Sequence, residues 1–192
     1  MRKINLILKE DEEKILPLVW TGGSGEIVVN AKLVGRGAKL NVIGAFLLAN
    51  NDEVRVEINI DHVATDTTSD TVIKSVLSDR AVGGFFGLVK ILKGARNTNT
   101  FFREDALLLS GNAKAEAVPS LEIDENEVKA GHASTVGPVD PEMLFYLLSR
   151  GITQKIARKL IVQGYIDVVS RQLPEKEKSE LDNFLQKEFI VS

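Results

Sequence analysis

Apolar and polar positions alternate through the middle of the chain as half-buried strands require. In GEIVVNAKLVG (25–35), Ile27, Val29, Ala31 and Leu33 share one parity, while Glu26, Val28, Asn30 and Lys32 share the other. EVRVEINIDHV (53–63) is cleaner, with Val54, Val56, Ile58, Ile60 and His62 opposite Glu53, Arg55, Glu57, Asn59 and Asp61. Period-two apolarity of this extent predicts strands with one face buried. Short breaks, most of them glycine-bearing (VGRGAKL, NND, AVGGFFG, LKGARN, SGNAKA), divide the region from about Gly25 to Val136 into many such strands.

The breaks narrow the choice of β architecture. RGAKL, KGARN and GNAKA look like one loosely recurring corner, a small residue pair beside a basic residue. Hairpin pairs of the Asn-Gly or Asp-Gly type are almost absent. Corners without hairpins suggest a parallel solenoid, each coil adding roughly 20 or more residues and burying its face on the next. The repeat is weak, so on pattern alone an antiparallel sandwich stays open.

Past residue 138 the period changes. Asp140 suits an N-cap, Pro141 the first helical position, and Glu142 complements the helix dipole. Met143, Leu144, Leu147 and Leu148 form an apolar stripe that Phe145 broadens, and Gly151 supplies a left-handed stop. Thr153 caps a second helix carrying Ile156, Ala157, Leu160 and Ile161 up to Gly164, after which YIDVVSRQL ends at Pro174. A last helix presents Leu181, Phe184, Leu185 and Phe189 for burial. Helices this short are marginal alone and must pack on each other or on another body. The expected division is a β-rich core over residues 1–138 and a helical domain over 139–192.

Composition and charge add exclusions. The 192 residues are 44% hydrophobic and 27% charged, with net charge −3, an ordinary foldable balance. Mild acidity argues against nucleic acid or an anionic membrane as main partner. The absence of cysteine removes disulfides, cysteine nucleophiles and any cluster held by this chain's own thiolates. The apolar patch Ile4–Leu8 is too short for a signal-peptide core, and no window approaches a membrane span, so a cytoplasmic location is expected.

Candidate chemistry is sparse. TGGSGE (21–26) resembles a phosphate loop but lacks the following Lys-Ser or Lys-Thr and opens no helix, so it reads as a turn. DHVATDTTSD (61–70) gathers a histidine, three aspartates and several hydroxyls. With no second histidine nearby, a polar coil edge is the better account than a metal site. VPSLEIDENEVKAGHASTVG (118–137) carries His132, which Glu122 would approach if the strands stack; a lone histidine on a small-residue strand is more often structural than a ligand. No nucleophile–base–acid set can be assembled.

One long stretch is similar to a known family. LLLSGNAKAEAVPSLEIDENEVKAGHASTVGPVDPEMLFYLLSRGI (107–152) resembles the core of the SufB/SufD family, components of the SUF iron–sulfur cluster assembly machinery. The resemblance rests on Leu108 to Gly111, Pro119 to Ile123, Val128-Lys129, His132 to Gly137, Leu144 to Leu147 and Ser149 to Ile152, with weaker similarity upstream through DHVATDTTSD and downstream through ARKLIVQGY. It implies a right-handed parallel β-helix followed by a small C-terminal α-helical domain. It also implies docking of the helices onto SufC, an ABC-type ATPase, through Leu144, Phe145, Tyr146, Arg150, Gly151 and Ile152. The end of the β-helix would pair with a SufB-like chain or with a second copy, near the family histidine that His132 matches.

Departures from the family pattern point to the SufD side. SufB-type scaffolds carry a cysteine before an Asp-x-Leu-Leu-like stretch, where this chain has Glu104, and a glutamate after the histidine, where it has Ala133. Glu104 and His132 remain as candidate iron ligands, but soft thiolates would come from another molecule. No cofactor is expected on this chain by itself; iron or a cluster would sit only at a shared interface. The expected role is therefore a non-enzymatic, SufD-like assembly subunit. The alternatives are a structural β-helix dimer with no iron role and, least supported, a polysaccharide-cleaving β-helix enzyme, since no carboxylate or basic groove is organised.

Overall fold

A computed structural model describes residues 1–187. Ten strands come first: β1 (Arg2–Leu8), β2 (Glu13–Thr21), β3 (Gly25–Leu33), β4 (Lys39–Leu48), β5 (Glu53–His62), β6 (Thr68–Leu77), β7 (Val82–Ile91), β8 (Asn99–Leu108), β9 (Lys114–Ile123) and β10 (Lys129–Pro138). Three helices follow, α1 (Pro141–Ser149), α2 (Gln154–Ser170) and α3 (Glu175–Lys187). Odd strands form one five-stranded sheet in the order β1-β3-β5-β7-β9, and even strands a second in the order β10-β8-β6-β4-β2. Every pairing is parallel. The chain crosses from sheet to sheet at each corner, so the body is a parallel solenoid, and the sandwich alternative is excluded.

Successive coils are offset by 25 residues between Asn5 and Asn30, 29 between Asn30 and Asn59, and 31 between Thr67 and Thr98. The corners keep this stack aligned. Asp11, Asp66 and Asn97 each adopt a positive φ of 54–59°, left-handed geometry that Asp and Asn tolerate because their short side chains can bond locally. Each donates its N–H to the next coil, Asp11 to Arg36 O, Asp66 to Arg96 O and Asn97 to Glu127 O, at 2.7–2.9 Å. At these corners a left-handed residue stands in for the two-residue hairpin turn, which is why hairpin signatures are scarce. The small residue of the recurring corner is fully or nearly buried at Ala38, Ala95 and Ala113.

Between the sheets lies a core of Leu, Ile, Val and Phe, among them Leu18, Ile27, Leu40, Phe46, Ile58, Ile60 and Phe85. Each such side chain contributes roughly 1.5–3 kcal/mol when fully buried. A second core forms outside the solenoid, where Ile43, Ala45, Leu47, Val76 and Leu107 of the even-strand sheet meet Val162, Ile166 and Val169 of α2 and Leu181 and Leu185 of α3.

Several expectations shift. Strands begin before residue 25: β1 and β2 complete the first coil although their alternation is loose, and Pro17 is accommodated because β2 is the edge of its sheet. TGGSGE is the turn between β2 and β3, with Gly22 and Gly23 at positive φ. The second helix runs through Gly164 to Ser170 rather than ending there. Mid-helix glycine costs about 1 kcal/mol, and burial of Val162, Ile166 and Val169 outweighs it. Asp140 and Thr153 do cap their helices, accepting from Glu142 N (2.8 Å) and Ile156 N (3.5 Å). Leu181 and Leu185 are buried and Phe184 half-buried; Phe189 lies outside the described residues. Among the described residues no helix is long and apolar enough to cross a membrane.

Three residues of the DHVATDTTSD stretch, His62, Thr67 and Ser69, point into the interior of one corner while the others stay at its surface. His62 is fully buried, its Nδ1 2.8 Å from Thr67 Oγ1 and its Nε2 2.9 Å from Ser69 Oγ. Those hydroxyls meet Thr98 and Thr100 of the following coil at 3.1 and 2.7 Å. Burial holds the imidazole down to about 4, so it is neutral. Between that value and 6.5 the unfolded chain binds a proton that the folded chain refuses. The His62 contribution to stability therefore rises with pH across this window, by at most about 1.4 kcal/mol per unit, and is lost on acidification. Because the raised Glu104 carboxyl works in the opposite sense above 4.5, urea unfolding from pH 6.5 down to about 4 reads this contribution as the difference between the native chain and His62→Gln. His62→Gln should gain stability relative to the native chain as pH falls through the window; a difference that does not change with pH would refute the assignment.

Candidate functional site

The two candidate iron ligands occupy the last coil and the coil beneath it. Glu104 lies on β8 opposite Ser134 of β10, and His132 lies opposite Phe102. In-register parallel strands present paired residues on the same side. Phe102 and Ala106 belong to the inner core, so Glu104 faces inward and His132 is its diagonal neighbour on the final rung. The environments differ. Glu104 is 1% exposed, whereas His132 is exposed at the uncovered end of the solenoid.

Neither carboxylate oxygen of Glu104 has a hydrogen-bond partner among the described residues. Burial, assisted by the charge of Asp105, pushes its carboxyl up to about 8, so at neutral pH it is largely protonated. Such a group has oxygen donors to offer and no structural bond that uses them. Among the described residues no group of three or more histidines and carboxylates is placed to hold a metal ion. Glu122 does not join the pair: it sits on β9 in the other sheet and pairs with Lys90 at 2.7 Å. The last coil itself is open. Val118, Ile123 and Val136 are 40–44% exposed, and β9 and β10 are edge strands.

The helical end carries a second candidate surface. None of the residues of α1 is buried. Its six consecutive apolar or aromatic residues, Met143 to Leu148, occupy all sides of the helix at 100° per residue, a pattern that belongs to a helix covered all round. Leu144 and Leu147 are half-buried, but Phe145 is 72% and Tyr146 56% exposed. Ile156 and Leu160 of α2 extend the exposed patch. Arg150 stacks over the Tyr146 ring at 5.2 Å, Gly151 turns the chain at φ +80°, and half-buried Ile152 returns an N–H to Leu147 O at 3.3 Å. All six predicted contact residues thus fall on one helix and its C-terminal turn.

The sequence reading missed the cluster where α2 seats. Asp105, on the outer face of β8, is 4% exposed and accepts from Lys74 of β6 (2.7 Å) and Arg103 (2.8 Å). Burial works against the Asp105 carboxylate, but these bonds outweigh it and hold its pKa below the ordinary value. Lys74 lies 4.4 Å below the ring of Tyr165. The available signal was Lys74 within the apolar run TVIKSVL and Asp105 at the head of the apolar run in REDALLL, 31 residues apart.

Known proteins share the solenoid and part of the helical end. Residues 20–165 match the family described as "SUF system FeS cluster assembly, SufBD core domain". An iron-sulfur cluster assembly SufBD family protein of Mycobacterium tuberculosis is 30% identical over 80% of this chain and 18% of its own length. One of Mycobacterium leprae is 31% identical over 88% of this chain and 46% of its own. The iron-sulfur cluster assembly protein SufD of Bacillus subtilis is 41% identical over 58% of this chain and 26% of its own. The chain thus spans less than half the length of each of these relatives.

Removing the orphaned carboxyl should be favourable to the fold. Glu104→Met is expected to raise stability by about 1–3 kcal/mol, because an unsatisfied buried group is replaced by an apolar one of similar size. A lowered denaturation midpoint would instead mean that the carboxyl is bonded in the folded chain.

Proposed function

The chain belongs to the SufBD core family of the SUF iron–sulfur cluster assembly system, and from that premise we propose that it is a SufD-like, non-catalytic subunit that docks a SufC-type ABC ATPase through its helices. The observation that carries this reading is α1: apolar on every side, with no buried residue, and exposed at Phe145 and Tyr146. A helix of that composition is stable in water only when a second surface covers it. ATP hydrolysis belongs to the partner, and the location is the cytoplasm.

The open last coil is the second contact. Its edge strands and uncovered inner face suit pairing with a SufB-like chain or a second copy. The cluster is cargo at that junction. Glu104 and His132 supply at most an oxygen and an imidazole to iron, and the thiolates come from the other chain. A second reading, a structural dimer without an iron role, draws support from the lack of a third histidine or carboxylate beside the pair among the described residues.

Size-exclusion chromatography of the chain with its cognate SufC-type ATPase, with and without nucleotide, tests the proposal. A complex is expected, weakened at least about tenfold by Phe145→Ala with Tyr146→Ala, since exposed aromatic anchors dominate such interfaces. No complex under either condition defeats the docking claim. Iron loading of the assembled complex separates the two readings: loss of iron in His132→Ala supports the cargo site, and unchanged loading supports the structural dimer.

A further inference from the structure

Three features of the seam between α2 and the even-strand sheet converge on Tyr165. Its ring covers the ammonium of Lys74, whose ion pair with Asp105 is nearly sealed from water, the side chains being 11% and 6% exposed. Its hydroxyl is buried and has no hydrogen-bond partner among the described residues. It also lines an apolar groove of about 670 Å³, open to solvent, between α1, α2 and the sheet, together with Leu107, Met143, Leu147 and Ile161.

The contact of the ring with the Lys74 ammonium favours seating, and the other features disfavour it relative to a state in which water enters the seam. A phenol orphaned in the interior regains hydrogen bonds in water. A sealed ion pair regains hydration that its mutual attraction replaces only in part. Side chains facing an open groove lack the dispersion contacts that tight seating would give them. Asp105 would not be stranded by opening, because Arg103, half exposed, stays bonded to it. Seating itself comes from the apolar contacts of Val162, Ile166 and Val169.

We infer that the α1–α2 unit is built to lift from the solenoid, and that the Lys74–Asp105 pair and the Tyr165 hydroxyl act as its release rather than as its fastening. This is a property of the isolated chain and holds whichever partner the helices take.

Native-state hydrogen exchange on the full chain tests it. Amides of α1 and α2 are expected to exchange through an opening separate from, and more frequent than, the global unfolding reported by β4 and β6. Tyr165→Phe keeps the ring and removes only the orphaned hydroxyl. It should slow that opening about tenfold, as should the paired replacement Lys74→Met with Asp105→Leu. Val162→Ala, which removes seating contacts, should speed it by a similar factor. The inference is overturned if α2 amides exchange only together with those of β4 and β6. It is equally overturned if Tyr165→Phe leaves the helical opening unchanged or faster.

Discussion

The even-strand sheet is covered on both faces, by the solenoid core inside and by α2 and α3 outside, and most of what distinguishes this chain follows from that. In β4 nearly every residue from Leu40 to Leu48 is buried, whichever way it points. A strand so placed reads as a continuous apolar run rather than an alternation. Polar residues admitted to it have no route to water, so each must find a partner or remain unsatisfied. Glu104 and Asp105 show both outcomes at adjacent positions. The outward carboxylate is held by two cations, and the inward one has none and keeps its proton.

The same double burial sets what could be read beforehand. β3 and β5 face solvent on one side, and their alternation announced them. β1 and β2, with weak alternation and a proline, did not. The α1 and α2 caps were visible because capping is local chemistry between residues two or three apart. The extension of α2 through Gly164 was not, because tertiary burial outweighs the glycine penalty and is invisible to propensity. Likewise Glu104 and His132 were nominated by family resemblance, but their placement, one sealed and one exposed on neighbouring rungs, depends on which coil is last. The Lys74–Asp105–Tyr165 seam joins three elements distant in sequence, and only the coil offset of 31 residues brings its ion pair together.

The two candidate surfaces lie at one end of the molecule and share a covalent link. β10 carries His132 and ends at Pro138, and α1 begins at Pro141. His132 and the exposed face of α1 are therefore joined only through the end of β10 and the short segment Pro138 to Asp140, while the Tyr165 seam lies between α2 and the strand that bears Glu104. A member of the SufBD family without cysteine has oxygen and nitrogen donors but no thiolate to offer a metal.

The stacked corners also constrain how such a chain can change over time. Asp11, Asp66 and Asn97 hand their N–H groups to the coil above, and a one-residue insertion within a strand would turn its inward set outward and break the column at once. Adding or deleting an entire circuit leaves every column intact. Other length changes are confined to the corners, which already differ between coils offset by 25, 29 and 31 residues.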